Sequence, residues 1–138
     1  MSVNPPNVLL VDDEPWFSES LAYSLEGRGV TCLVARDATE AMSLMADYMI
    51  AVLVTDIMMP AGHAFPGVEA TETGFRLMEH VQDRWPGIPI VCLSVIGDQT
   101  KIDVLKRKGI RYLRKGEISL EATVRIIATL AIGRQYSA

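Results

Sequence analysis

Four short apolar runs in this chain each lead into a residue that can do chemistry. Asn7-Val8-Leu9-Leu10-Val11 runs straight into Asp12-Asp13-Glu14, Val52-Leu53-Val54-Thr55 into Asp56, Ile88 to Leu93 into Ser94, and Ile110 to Leu113 towards Lys115. If the runs are neighbouring strands, Asp12, Asp13 and Asp56 share one small concavity, where mutual repulsion raises carboxylate pKa values unless a cation neutralises them. A hard divalent ion answers that need: carboxylate, backbone and water oxygens suit Mg2+, which binds few protein groups and leaves room for a phosphate oxygen. Ser94 adds a hydroxyl and Lys115 a mobile point charge. Metal, ammonium, hydroxyl and a carboxylate nucleophile are together the parts for holding and receiving a phosphoryl group. The alternative for Asp56 taken alone is that it caps the next turn, as aspartates after strands often do.

Whether these residues meet depends on the elements that carry them. The run before Asp56 is short and β-branched, which predicts a strand buried on both faces in the middle of a parallel sheet. After Pro15, Phe17, Leu21 and Leu25 recur at helical spacing until Gly27 and Gly29 end the pattern. A second strand is expected from Val30 to Val34, then Asp37-Ala38-Thr39-Glu40 resembles a capping box before the stripe Ala41, Leu44, Met45, Met49. Phe75, Met78 and Val81 mark a third helix ended by Trp85-Pro86-Gly87. Asp98 caps a fourth carrying Ile102 and Leu105 and closed by Gly109, and Leu120, Val124, Ile127 and Leu130 mark a fifth. Five strands alternating with five helices predict an α/β fold: a three-layer, doubly wound, flavodoxin-like sandwich whose five-stranded parallel sheet has the order 2-1-3-4-5. That order sets the first and third strands side by side where the winding reverses, so their acidic ends meet.

At 138 residues, 49% hydrophobic and 22% charged, the chain is read as one globular domain spanning 1–138. A net charge of -4 and a pI near 5.1 argue against a nucleic-acid surface. The positive cluster from Lys101 to Lys115 reads as a solvated helix face. Cys32 and Cys92 lie inside apolar runs and read as buried strand residues, with no disulfide required. With no CxxC, no signal peptide and no apolar stretch of membrane-spanning length, a soluble protein of the cytoplasm is the expectation. The segment from Ala61 to Thr73 lacks periodicity and contains Gly62, Pro66 and Gly67 as breakers. It exceeds the usual loop median of about 4–6 residues. It is expected to be a surface insertion, mobile and dispensable for folding; the alternative is a docking role for His63 and Phe65. His80 is expected on a solvated helix face.

Four motifs now stand in order at four strand ends: Leu10-Val11-Asp12-Asp13-Glu14, Thr55-Asp56-Ile57-Met58-Met59-Pro60, Leu93-Ser94 and Tyr112-Leu113-Arg114-Lys115. Together they resemble the receiver domain of the response-regulator family of two-component signalling, over nearly the whole chain. The resemblance implies that Asp56 accepts phosphate from a histidine kinase or phosphotransfer protein, while Asp12, Asp13, Asp56 and the Met58 backbone carbonyl hold Mg2+. It implies that Lys115 contacts the phosphoryl oxygens and that Ser94 swings to bond one, letting Tyr112 turn inward. On spacing alone Tyr112 reads equally well as a core aromatic. The signal would leave through the fourth helix, fifth strand and fifth helix to a downstream protein, and a phosphorylation-dependent homodimer is compatible with that route.

The chain departs from the family's pattern in three places: the extended loop, Val95 after Ser94 where a smaller residue is favoured, and Gly116 after Lys115 where proline is common. With glycine at 116 the usual cis bond is expected to be absent. Met58 and Ile96, two positions after Asp56 and after Ser94, would flank the approach of a hydrolytic water. Both are bulky and offer it no hydrogen bond, which implies a long-lived phosphoaspartate. No enzymatic activity is expected beyond self-phosphorylation from a phosphodonor and slow self-dephosphorylation. Two other classes compete: a degenerate receiver that binds partners without phosphate, and an aspartate-nucleophile phosphohydrolase of the haloacid dehalogenase type. The latter needs a second acid two residues after the nucleophile, where Met58 stands.

Overall fold

The computed structural model describes residues 4–95 and 97–136, so Ile96 lies outside the described residues. Ten elements follow one another as β1 (Asn7–Val11), α1 (Pro15–Glu26), β2 (Thr31–Ala35), α2 (Ala38–Asp47), β3 (Ile50–Thr55), α3 (Thr73–Arg84), β4 (Ile90–Ser94), α4 (Gln99–Arg107), β5 (Arg111–Arg114) and α5 (Leu120–Tyr136). The five strands form one sheet in the order β2-β1-β3-β4-β5, parallel at each pairing. This is the flavodoxin-like order expected from the strand and helix alternation.

Successive strand residues point to opposite faces, and here both faces are covered. Val8 and Leu10, Val52 and Val54, and Val91 and Leu93 pack with Leu21, Leu25, Val124 and Ile127 of α1 and α5. Leu9 and Val11, Leu53, and Ile90 and Cys92 pack on the other side with Met45, Leu77, Met78, Val81 and Leu105 of α2, α3 and α4. At roughly 1.5–3 kcal/mol per fully buried aliphatic side chain, two such cores outweigh the cost of charged groups at one end of the sheet. The caps fall where expected: the Asp37 carboxylate accepts from the Glu40 N–H at 2.8 Å, and that of Asp98 from Thr100 at 2.9 Å and Lys101 at 3.4 Å. Strand boundaries shift by one or two residues, because pairing rather than apolarity ends a strand. Ser94, for example, is a strand residue opposite Arg114. No cis peptide bond occurs among the described residues, in keeping with glycine at position 116.

The segment after Pro60, expected to be a surface insertion, is tied to other elements by hydrogen bonds. The Thr39 hydroxyl on α2 accepts from the N–H groups of His63 at 2.7 Å and Ala64 at 2.9 Å and donates to the Ala61 carbonyl at 3.1 Å. The Ala38 N–H, in the first turn of α2, donates to the Pro60 carbonyl at 3.2 Å, and the Met59 N–H to the Ala70 carbonyl at 3.2 Å. Phe65 is half-buried against the core on the α2–α4 side. Its ring meets His80 edge-on at 6.3 Å, and His80 meets Trp85 at 6.1 Å, so His80 sits half-buried in an aromatic row rather than on a solvated face. These anchors lie on other elements, beyond the reach of a local pattern.

The beginning of α3 presses directly on the backbone that follows Asp56. The Gly74 N–H donates to the Ile57 carbonyl at 2.8 Å. A Cβ at Gly74 would collide with the Asp56 carbonyl oxygen and the Ile57 Cα, both backbone atoms with no side chain to swing aside. Gly74→Ala is therefore expected to cost about 3 kcal/mol of stability, at the upper end of overpacking effects. Phe65→Ala, which empties a half-buried site, is expected to cost about 1–2 kcal/mol. Urea denaturation midpoints check both; a Phe65→Ala midpoint equal to that of the unsubstituted chain would restore the dispensable loop.

Candidate functional site

Register brings the two key acids together. Val11 pairs with Thr55 in the β1–β3 ladder, so Asp12 and Asp56 leave adjacent strands at the same level. The Asp56 N–H continues that ladder, donating to the Val11 carbonyl at 3.1 Å, and the Asp12 N–H continues the β1–β2 ladder, donating to the Ala35 carbonyl at 3.0 Å. Both are nearly buried, with relative exposures of 7% for Asp12 and 6% for Asp56. One oxygen of each is held by backbone: Asp56 Oδ1 accepts from Ile57 at 2.6 Å and Met58 at 3.4 Å, and Asp12 Oδ1 from Glu14 at 2.9 Å. The other oxygen of each meets Lys115. Its ammonium donates to Asp12 Oδ2 at 2.7 Å and Asp56 Oδ2 at 3.0 Å, with Glu14 Oε1 at 3.4 Å. Lys115 reaches this position because its own N–H bonds the Ser94 carbonyl at 2.9 Å, continuing the β4–β5 pairing past the strand end.

The local charge is unbalanced, with one ammonium facing three carboxylates. Burial raises the pKa of Asp12; the hydrogen bonds from Lys115 and the Glu14 backbone oppose this, and the charge of Asp56 adds to it. Burial works to lower the pKa of Lys115, but the hydrogen bond to Asp12 and the charges of Asp56 and Asp12 overcome it and raise the value. The rise at Lys115 comes from the acids around it, whereas that at Asp12 comes first from burial and only in small part from the charge of Asp56; one further cation would relieve the excess of negative charge. Asp12, Glu14 and Asp56 each offer a carboxylate oxygen within 4.8 Å of the others. An all-oxygen donor set of this kind fits Mg2+. Asp13, expected among the ligands, is exposed and stands outside that group of three.

The remaining expected residues surround this cluster. Ser94 is fully buried at the end of β4, and the half-buried Tyr112 donates its hydroxyl to the Ser94 carbonyl at 3.5 Å. Burial raises the Tyr112 phenol pKa. Met58 is 42% exposed at the mouth of the site, and Val95 is exposed beside Ser94. Cys32 is half-buried and Cys92 buried, and burial pushes both thiols up to about 12, which keeps them protonated and inert. Three participants were not legible as such. Glu14 was visible only as the third acid of a run, Phe17 only as a helix-stripe residue although its ring lies 4.6 Å from the Lys115 ammonium, and Gly74 only as a loop end.

A nearly buried carboxylate beside an ammonium and further acids is suited to receive a phosphoryl group. The chain is similar to response regulators and receiver domains. The response regulator protein PilR of Pseudomonas aeruginosa is 30% identical over 108 residues, covering 78% of this chain and 22% of that protein. The regulator of RpoS of Escherichia coli is 25% identical over 103 residues, covering 75% of this chain and 28% of that protein. This chain thus spans between 22% and 28% of the length of these relatives. Among solved structures, the Francisella response regulator 1452 receiver domain superposes with a TM-score of 0.73 at 26% identity, covering 92% of this chain and 97% of that one. A CheY-like receiver domain protein from Methanospirillum hungatei, at 17% identity and a TM-score of 0.80, covers 97% of this chain and 99% of its own, and shows the shared fold. The family described as the response regulator receiver domain matches residues 8–127, and this chain belongs to it.

Proposed function

We propose that this chain is a phosphorylation-controlled signalling switch whose Asp56 receives a phosphoryl group from a histidine kinase or phosphotransfer protein. The observation that carries the reading is the Lys115 ammonium bonded to one oxygen of Asp12 and one of Asp56, at 2.7 and 3.0 Å. The backbone N–H of Ile57 fixes Asp56 Oδ1 and so fixes the carboxylate's rotation, which keeps Oδ2 turned into the site. In the transfer, an Asp56 oxygen forms a bond to phosphorus while the bond from phosphorus to the donor's histidine nitrogen breaks, its electron pair staying on that nitrogen. Lys115 exchanges a carboxylate oxygen for a phosphoryl oxygen as charge shifts towards it. Mg2+, held by Asp12 and Asp56 with Asp13, Glu14 or the Met58 carbonyl completing the set, would neutralise the acids that otherwise repel an anionic donor. Incubation with acetyl phosphate and Mg2+ should add one phosphoryl mass, and Asp56→Asn should abolish it. Phosphate located on Asp13 or His63, or an unmodified chain that still binds its partner, would overturn the assignment.

The signal is proposed to leave through α4, β5 and α5. Phosphate adds roughly -1.5 to -2 charge, which neighbouring groups answer by moving. Ser94 lies at the root of α4, and the Tyr112 hydroxyl is bonded to its carbonyl, so a movement of Ser94 towards a phosphoryl oxygen releases or draws in Tyr112. Hydrogen exchange on adding beryllium fluoride is expected to change across residues 95–112. Changes confined to α1 and α2 would count against this route.

The phosphorylated state is proposed to be long-lived. Met58, at the mouth of the site, and Ile96 have no group that orients water, so hydrolysis lacks the positioning that can supply several kcal/mol. Met58→Asn or Ile96→Glu should speed phosphate loss by roughly tenfold, about 1.4 kcal/mol, in protein free of phosphatase. Unchanged rates in both variants would show that something else limits the water.

A further inference from the structure

Besides the acids, the ammonium of Lys115 meets an aromatic ring. Phe17, in the first turn of α1, presents its ring 4.6 Å from Nζ, well within cation–π range. We propose that Phe17 is a positioning residue for Lys115, holding the ammonium over the acidic cluster by cation–π attraction while leaving it able to change partners; this rests on the phosphoryl-contacting role given to Lys115 above.

Three observations support the assignment. Lys115 is followed by Gly116 at φ +87°, so no side chain on that flank restrains the long, flexible lysine stem. The Lys115 side chain is only 9% exposed, and a cation–π contact strengthens when the cation is withdrawn from water. The ring itself is well fixed: the Phe17 N–H donates to the Glu14 carbonyl at 3.1 Å, Trp16 stands edge-on to it at 5.8 Å and 82°, and it packs half-buried against the α1/α5 core. A ring face also does what a fourth carboxylate could not. Its attraction is spread over the face rather than aimed along one hydrogen bond, so Lys115 can pivot from Asp12 towards a phosphoryl oxygen without leaving it. It adds no charge to a cluster already rich in acids, and no atom that competes for a metal.

The competing reading is that Phe17 only fills space. Replacing Phe17 with a series of fluorinated phenylalanines separates the two, because fluorination keeps the shape nearly constant while weakening and finally reversing the charge distribution of the ring. In the full chain the rate of phosphorylation by acetyl phosphate with Mg2+ should fall progressively along the series, by about fivefold at pentafluorophenylalanine, whereas Phe17→Tyr should stay within about twofold. Urea midpoints should fall along the series in the chain with Lys115 and stay level in a Lys115→Met background. Equal midpoint changes in both backgrounds, or a rate independent of fluorination in a chain that does take phosphate, would overturn the inference. If the unsubstituted chain takes no phosphate, the reading of function fails, and the two urea series still decide whether ring and ammonium are coupled.

Discussion

The cluster of Lys115 with Asp12 and Asp56 is the interaction on which the rest of the structure bears. Withdrawing charges from water is costly, and a buried ion pair seldom returns more than it costs. Here the pairing is incomplete as well, since one ammonium faces three acids. Such a cluster adds little net stability, and ionisable groups crowded in this way are gathered at functional sites more than elsewhere. The two cores on either face of the sheet carry the stability, and the open end of the sheet carries the charge.

Backbone geometry makes the cluster specific. The β1–β3 ladder delivers two carboxylates at the same level, and the β4–β5 ladder continues through the Ser94 carbonyl to the Lys115 N–H. Peptide N–H groups then hold one oxygen of each acid, leaving the other to the ammonium. Gly74 lets α3 approach the Asp56–Ile57 backbone so closely that this segment has little room to move. Thr39 extends the same restraint outwards by tying the long loop to α2, so the segment between Asp56 and α3 is anchored at both its ends.

Much of this was legible in the sequence. Alternating apolar runs and helical stripes determined five strands, five helices and their order, because burial on both faces of a parallel sheet leaves a strong periodic mark. The positions of Asp12, Asp56, Ser94 and Lys115 at strand ends followed from the same runs, since a strand's end is where its side chains can first reach solvent. Tertiary structure alone decided which acids face the ammonium: Glu14 turns towards Lys115 while its neighbour Asp13 stays exposed, a matter of side-chain direction in a turn with no periodic signal. It also decided that Phe17 lies beneath the ammonium, that His80 joins an aromatic row, and that the loop from Ala61 is anchored. Each of these depends on a partner on another element: Thr39 is 24 residues from His63, and Lys115 is 103 from Asp12. Pattern within a segment reports which face is buried, whereas the identity of the atom across the gap is set only when the segments pack.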